Sequence, residues 1–155
     1  MRSHQGETHL APGAEWTTRT RRADARHNSS RIFNTIDMLA KAIENISFTV
    51  YFGFDSAALT QEAQPVLQQA VAEFRRRADA RMDVVGHTDR AGSLEYNRAL
   101  SKRRADAVRD ALAASGVTAG RIDEAALGEL VADVETADGV REPLNRRVEI
   151  VVSSQ

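Results

Sequence analysis

The chain has 155 residues, 42% of them hydrophobic, enough for one domain with a sizeable core and too few for two. Its 21 Lys and Arg nearly balance 22 Asp and Glu, for a net charge of -1, which argues against a general attraction to nucleic acid. There is no cysteine. Disulfides, thiolate metal sites, thiol catalysis and a lipidated cysteine are therefore excluded within this chain, while the compartment stays open.

No stretch approaches the roughly 18 consecutive apolar residues of a membrane span. Met1 to Trp16 is polar, with His4, Gln5, Glu7 and His9 where a signal peptide needs an apolar run. Two readings follow: the protein stays inside the cell, or this start is not the natural one. Residues 1 to about 30 lack any apolar period and are expected to be disordered or loosely attached. From Ile32 onward, Ile32, Phe33, Ile36, Leu39, Ala40 and Ile43 recur at helical spacing. They predict a short amphipathic helix over about 30–44, capped by Ser29 or Ser30. Residues 1–45 are thus read as an N-terminal segment, and 46–155 as the domain.

Ile46 to Phe52 alternates and is rich in β-branched and aromatic residues, as a strand should be. Gly53-Phe54-Asp55-Ser56 ends it. A helix is expected from Thr60, its N-cap, with Ala63, Val66, Leu67, Ala70, Val71 and Phe74 as the apolar stripe. Pro65 falls early enough to be tolerated, with a slight kink possible. Arg75-Arg76-Arg77 reads as a solvated helix end rather than a phosphate site, because no aromatic platform is interleaved.

Met82 to Val85 is a short strand ending at Gly86, Arg90-Ala91-Gly92-Ser93 is a turn, and Ser93 is placed to cap a long helix. That helix is expected to end near Ala114, with Gly116 closing it. On it Asn97, Leu100, Ser101, Arg104, Ala105, Val108 and Leu112 share one face. A guanidinium on a core-facing stripe needs a partner, and Asp89 at the strand end is the nearest acid by geometry. Asp89 and Arg104 allow two readings, a structural ion pair or a pocket for a zwitterion. In the pocket reading the acid meets an ammonium and the arginine fork a carboxylate.

Val117 to Ile122 is a connector, Glu124 to Leu127 a strand, Glu129 to Pro143 a surface loop, and Arg147 to Val152 a final strand. The order strand-helix-strand-helix-strand-loop-strand predicts an α/β (α+β) two-layer sandwich. A mixed four-stranded sheet should carry its two main helices on one face, through right-handed crossovers.

Thr88-Asp-Arg-Ala-Gly-Ser93 followed by Asn97-x-x-Leu100-Ser101-x-x-Arg104-Ala105-x-x-Val108 resembles the peptidoglycan-binding signature of the OmpA-like C-terminal domain family. Val50-Tyr-Phe-Gly-Phe-Asp55 and Asn145-Arg-Arg-Val-Glu-Ile150 match that family's flanking landmarks, so the resemblance runs from about Phe48 to Val152. It implies noncovalent binding of cell-wall peptidoglycan through the meso-diaminopimelate of the stem peptide, with no cofactor, metal or catalytic residue. By position, Asp89 takes the ammonium and Arg104 the carboxylate. Phe54, Asp55, Thr88, Asn97 and Leu100 line or brace the site, and Arg147 is a weaker candidate, more at home as a structural partner of Glu149. The resemblance also implies a periplasmic or outer-membrane-associated protein, although the signal sequence, barrel, lipidated cysteine or membrane helix normal to such proteins is not visible here.

Two rivals stand beside this. His87 and Asp89 at a strand end are two residues of a metal or hydrolytic site, too few to close one. Alternatively, the domain is a protein–protein interaction module of the cell envelope, docking through the 129–142 loop or the 30–44 helix.

Overall fold

A computed structural model describes residues 45–154 together with 34–36 and 39. The chain divides after Met38, and the fold is that of the second unit, Leu39–Gln155. Residues 34–36 and 39 are helical and exposed. The remainder of the helix expected over 30–44 and the disorder expected before it lie outside the described residues.

Four strands and two long helices follow in the expected order: β1 (Ile46–Tyr51), α1 (Ala63–Arg75), β2 (Ala80–His87), α2 (Leu94–Ala114), β3 (Ile122–Gly128) and β4 (Arg147–Ser154). Short 3-10 turns at Ala119–Arg121 and Pro143–Asn145 lead into β3 and β4. The sheet order is β1-β4-β2-β3, with β4 antiparallel to both β1 and β2, and β2 parallel to β3. It is the mixed sheet that the order of elements predicts.

One face of the sheet builds the core. Val50, Met82, Val84, Val148, Ile150 and Val152 meet Leu67, Ala70, Val71 and Phe74 of α1 and Ala105, Val108 and Leu112 of α2 in a single buried cluster. Both helices therefore lie on one side, and alternation turns Val85, His87, Arg147 and Glu149 to the other. Between β2 and α2 the layers nearly touch. A Cβ on Gly86 would stand 2.1 Å from the Ser101 carbonyl oxygen, so only glycine lets this helix lie so close to its strand.

Several boundaries moved, with β3 beginning already at Ile122 and β4 running to Ser154, and two of the shifts have a plain physical reason. Strand β2 runs from Ala80 to His87, well beyond Met82 to Val85, because Ala80 and Arg81 pair with Ser154 and Ser153 and His87 pairs with Gly128. Helix α1 starts at Ala63 after Glu62, and Thr60 is not its cap. A start at Thr60 would place Pro65 where an amide hydrogen is needed, whereas a start at Ala63 puts it in the first turn, where amides are free anyway. Ser93 does cap α2, its hydroxyl accepting from the Tyr96 amide at 3.1 Å. Gly116 closes that helix with φ 99°.

Candidate functional site

The C-terminal end of β2 delivers Thr88 and Asp89, both buried, into the corner where α2 begins. The Asp89 carboxylate is held from three sides. One oxygen accepts from the Ala91 amide at 3.2 Å, and the other accepts from the Glu142 amide at 3.2 Å and lies 3.4 Å from Arg146 Nη1. Asn97, one turn into α2, donates to the Asp89 carbonyl at 3.2 Å and to Glu129 Oε2 at 2.6 Å. The Thr88 amide is bonded to the Gly128 carbonyl, while its hydroxyl and the Asn97 side-chain oxygen are buried without a hydrogen-bond partner among the described residues.

Every residue expected on the inner face of α2 is buried: Asn97, Leu100, Ser101, Arg104, Ala105, Val108 and Leu112. The anionic partner expected for Arg104 is replaced. Its Nε donates to the Ser56 carbonyl at 2.8 Å, Nη1 to His87 at 3.1 Å and Nη2 to Gly53 at 3.1 Å, and the guanidinium carbon lies 5.4 Å from the Phe52 ring centre. Three carbonyl dipoles solvate the buried cation in place of water, because hydrogen bonds compensate for lost hydration. Asp89 is close enough to act on it through space. Burial pushes the Arg104 pKa down to about 10, with Asp89 opposing the shift and Arg146 reinforcing it.

Phe54 and Asp55 are exposed on the β1–α1 loop, which supplies the Gly53 and Ser56 carbonyls. Asp55 has φ 51° and accepts from the Tyr96 hydroxyl of α2. Phe54 carries the Arg141 guanidinium, 3.7 Å from its ring centre. Arg147 is not brought together with Asp89. It lies on the other face of the sheet, where its Nε donates to Glu149 Oε1 at 2.9 Å.

His87 shares that face and is buried there. It is 1% exposed, and its Nε2 lies 3.6 Å from Glu149. Burial lowers its pKa, Arg147 adds to the lowering, and Glu149 opposes it.

Sequence reasoning overlooked Arg146, Glu142, Glu129 and Tyr96. A signal for Arg146 was present in the strand parity. Val148, Ile150 and Val152 point to the helices, so Arg146 shares their side and Arg147 does not. Glu129 and Glu142 sit in a loop without period, which carries no such signal. Asn145, buried and seen only as a landmark, accepts from the Asp133 and Val134 amides at 2.8 Å each and donates to the Val134 carbonyl at 2.7 Å. It pins the loop that brings Glu142 to Asp89.

Such a fold defines a class: a two-layer α/β domain with a charged, half-closed corner at the end of its central parallel strand. The family model of the OmpA family matches residues 51–146, and the chain belongs to that family. It is 41% identical over 99 residues to the peptidoglycan-associated lipoprotein of Haemophilus influenzae, covering 64% of this chain and 65% of that protein. The chain thus spans slightly under two thirds of that relative's length. Among solved structures it resembles the peptidoglycan-associated lipoprotein of Burkholderia pseudomallei, with a TM-score of 0.64 and 33% identity over 68% of this chain and 90% of the other. It also resembles the cell wall anchor of the T6SS from Pseudomonas aeruginosa, with a TM-score of 0.55 and 32% identity over 72% and 82% of the two chains.

Proposed function

We propose that this domain binds cell-wall peptidoglycan noncovalently, holds the meso-diaminopimelate residue of the stem peptide, and so acts as a cell-wall tether of the periplasm or outer membrane. The observation that supports this most is the gathering of Asp89, Arg104 and Arg146 where β2 meets α2. They belong to an OmpA-family chain whose relatives are named for peptidoglycan association and cell-wall anchoring. An amino-acid head group offers one ammonium and one carboxylate at fixed separation. Asp89 takes the ammonium and the Arg104 fork takes the carboxylate, with Arg146 as the second cation in place of Arg147. Thr88, Asn97 and Leu100 brace the corner, and Phe54 and Asp55 form its mouth.

Arg104 spends its Nε and Nη2 on Ser56 and Gly53. Ligand entry therefore exchanges two loop carbonyls for one ligand carboxylate, and the 53–56 loop must yield. The role is one of holding, without a catalytic residue. Co-sedimentation with insoluble diaminopimelate-type peptidoglycan tests it. Asp89→Ala and Arg104→Ala should each abolish sedimentation, with an unfolding curve run beside each to separate lost binding from lost fold. Unchanged sedimentation of both folded variants would remove the pocket assignment.

A second reading, docking of an envelope protein, is favoured by one feature. A groove of about 290 Å³ beside the corner is lined by Leu94, Leu127 and Leu130 with Arg98, Glu95 and Glu129. Leu130 and Leu94 are 75% and 64% exposed. Leu130→Glu should spare peptidoglycan sedimentation while disrupting any protein partner seated there.

A further inference from the structure

Three arginines surround the mouth of the corner, and two of them are already matched by acids. Arg90 faces Glu129 and Asp138, and Arg146 faces Asp89. Arg141 differs. Its guanidinium carbon lies over Phe54, 3.7 Å from the ring centre, and it makes no ion pair or hydrogen bond among the described residues. The nearby acid Asp55 is engaged by the Tyr96 hydroxyl.

The position is as specific as the chemistry. Arg141 precedes Glu142, whose amide holds Asp89, and Phe54 follows Gly53, whose carbonyl holds Arg104. The stack therefore joins the two loops that clasp the acid and the base of the corner. A guanidinium held against a ring by a cation–π contact loses less freedom on meeting a carboxylate than a free side chain would, and keeps its N–H donors for it.

Resting on the peptidoglycan reading, we propose that Arg141 is a second carboxylate site, which receives the free carboxylate of the glutamate preceding diaminopimelate in the stem peptide. The ligand is then recognised at two points, its zwitterionic end in the corner and an adjacent acid at the rim. Calorimetric titration of the full chain with L-alanyl-γ-D-glutamyl-meso-diaminopimelate, and with the same peptide amidated at the glutamate carboxylate, tests this. The free acid should bind about tenfold more tightly, equivalent to about 1.4 kcal/mol. Arg141→Gln should bring the ratio of the two affinities to within about twofold of unity, and Arg141→Lys, which keeps the charge without the planar fork, should leave it in between. A merely structural Arg141 would shift both affinities together and leave the ratio untouched. Equal affinities in the unaltered chain, or a preference that survives Arg141→Gln, would overturn the site alone. Binding of neither peptide at millimolar concentration would remove the peptidoglycan reading and this site with it.

Discussion

Arg104 shows what a buried charge requires. Its three carbonyl partners come from three places in the chain, Gly53, Ser56 and His87, so the side chain ties the β1–α1 loop to the end of β2 from a helix. Arg104→Lys keeps the charge but cannot reach three acceptors in a plane, and chemical denaturation should show a loss of about 2 kcal/mol. Arg104→Ala, which orphans all three carbonyls and leaves a void, should cost more, about 3 kcal/mol or above.

His87 gives a pH dependence whose sign is fixed by its surroundings. Its folded pKa lies below the ordinary 6.5, chiefly through burial and then through Arg147, with Glu149 opposing. The unfolded chain therefore takes up the proton first as pH falls. Stability from this residue is complete above pH 6.5 and is lost as the pH drops through the depressed folded value. Thermal unfolding between pH 7.5 and 4.5 should show the fall, and His87→Gln should flatten it. An unaltered slope in that variant would place the dependence elsewhere.

At the scale of elements, the contact between β2 and α2 is set by Gly86. Gly86→Ala drives a methyl against the Ser101 carbonyl and close to Ala105, and neither backbone can retreat without parting the layers. A destabilisation of about 3 kcal/mol is expected in urea titration. The 129–142 loop depends on one side chain in the same way. Asn145→Ala removes three hydrogen bonds to Asp133 and Val134, and amide exchange should accelerate there before it does in the strands.

What the sequence disclosed divides along these lines. The inner face of α2 was fully legible, because a 21-residue helix repeats its period often enough to name each buried position, Arg104 included. The same period says nothing about who meets the guanidinium. Backbone carbonyls carry no side-chain signature, so the carbonyl cradle was invisible and an acid was expected in its place. Arg147, the weaker candidate, falls on the far face beside Glu149, a parity that the apolar positions of β4 already encode.

At the scale of the whole molecule, the core cluster among the described residues draws on β1 to β4, the two helices, Phe52 and Val117. A fragment comprising residues 39–155 should therefore unfold cooperatively, with a midpoint within a few degrees of that of the full chain. A non-cooperative or strongly lowered transition would show that the earlier residues carry part of the stability.

The sheet order has a mechanical consequence. Ile46 and Met82 both pair with Val152, while Val50 and Gly86 both pair with Val148. The chain thus enters the domain at one end of the sheet, and Asp89 sits beyond the other. Tension between an upstream attachment and a load gripped at Asp89 would run lengthwise along the strands. Rupture would have to slide β1 past β4 and β4 past β2, shearing whole rows of hydrogen bonds at once instead of unzipping them singly. For a domain proposed to hold a cell wall, that is the direction in which the fold resists most.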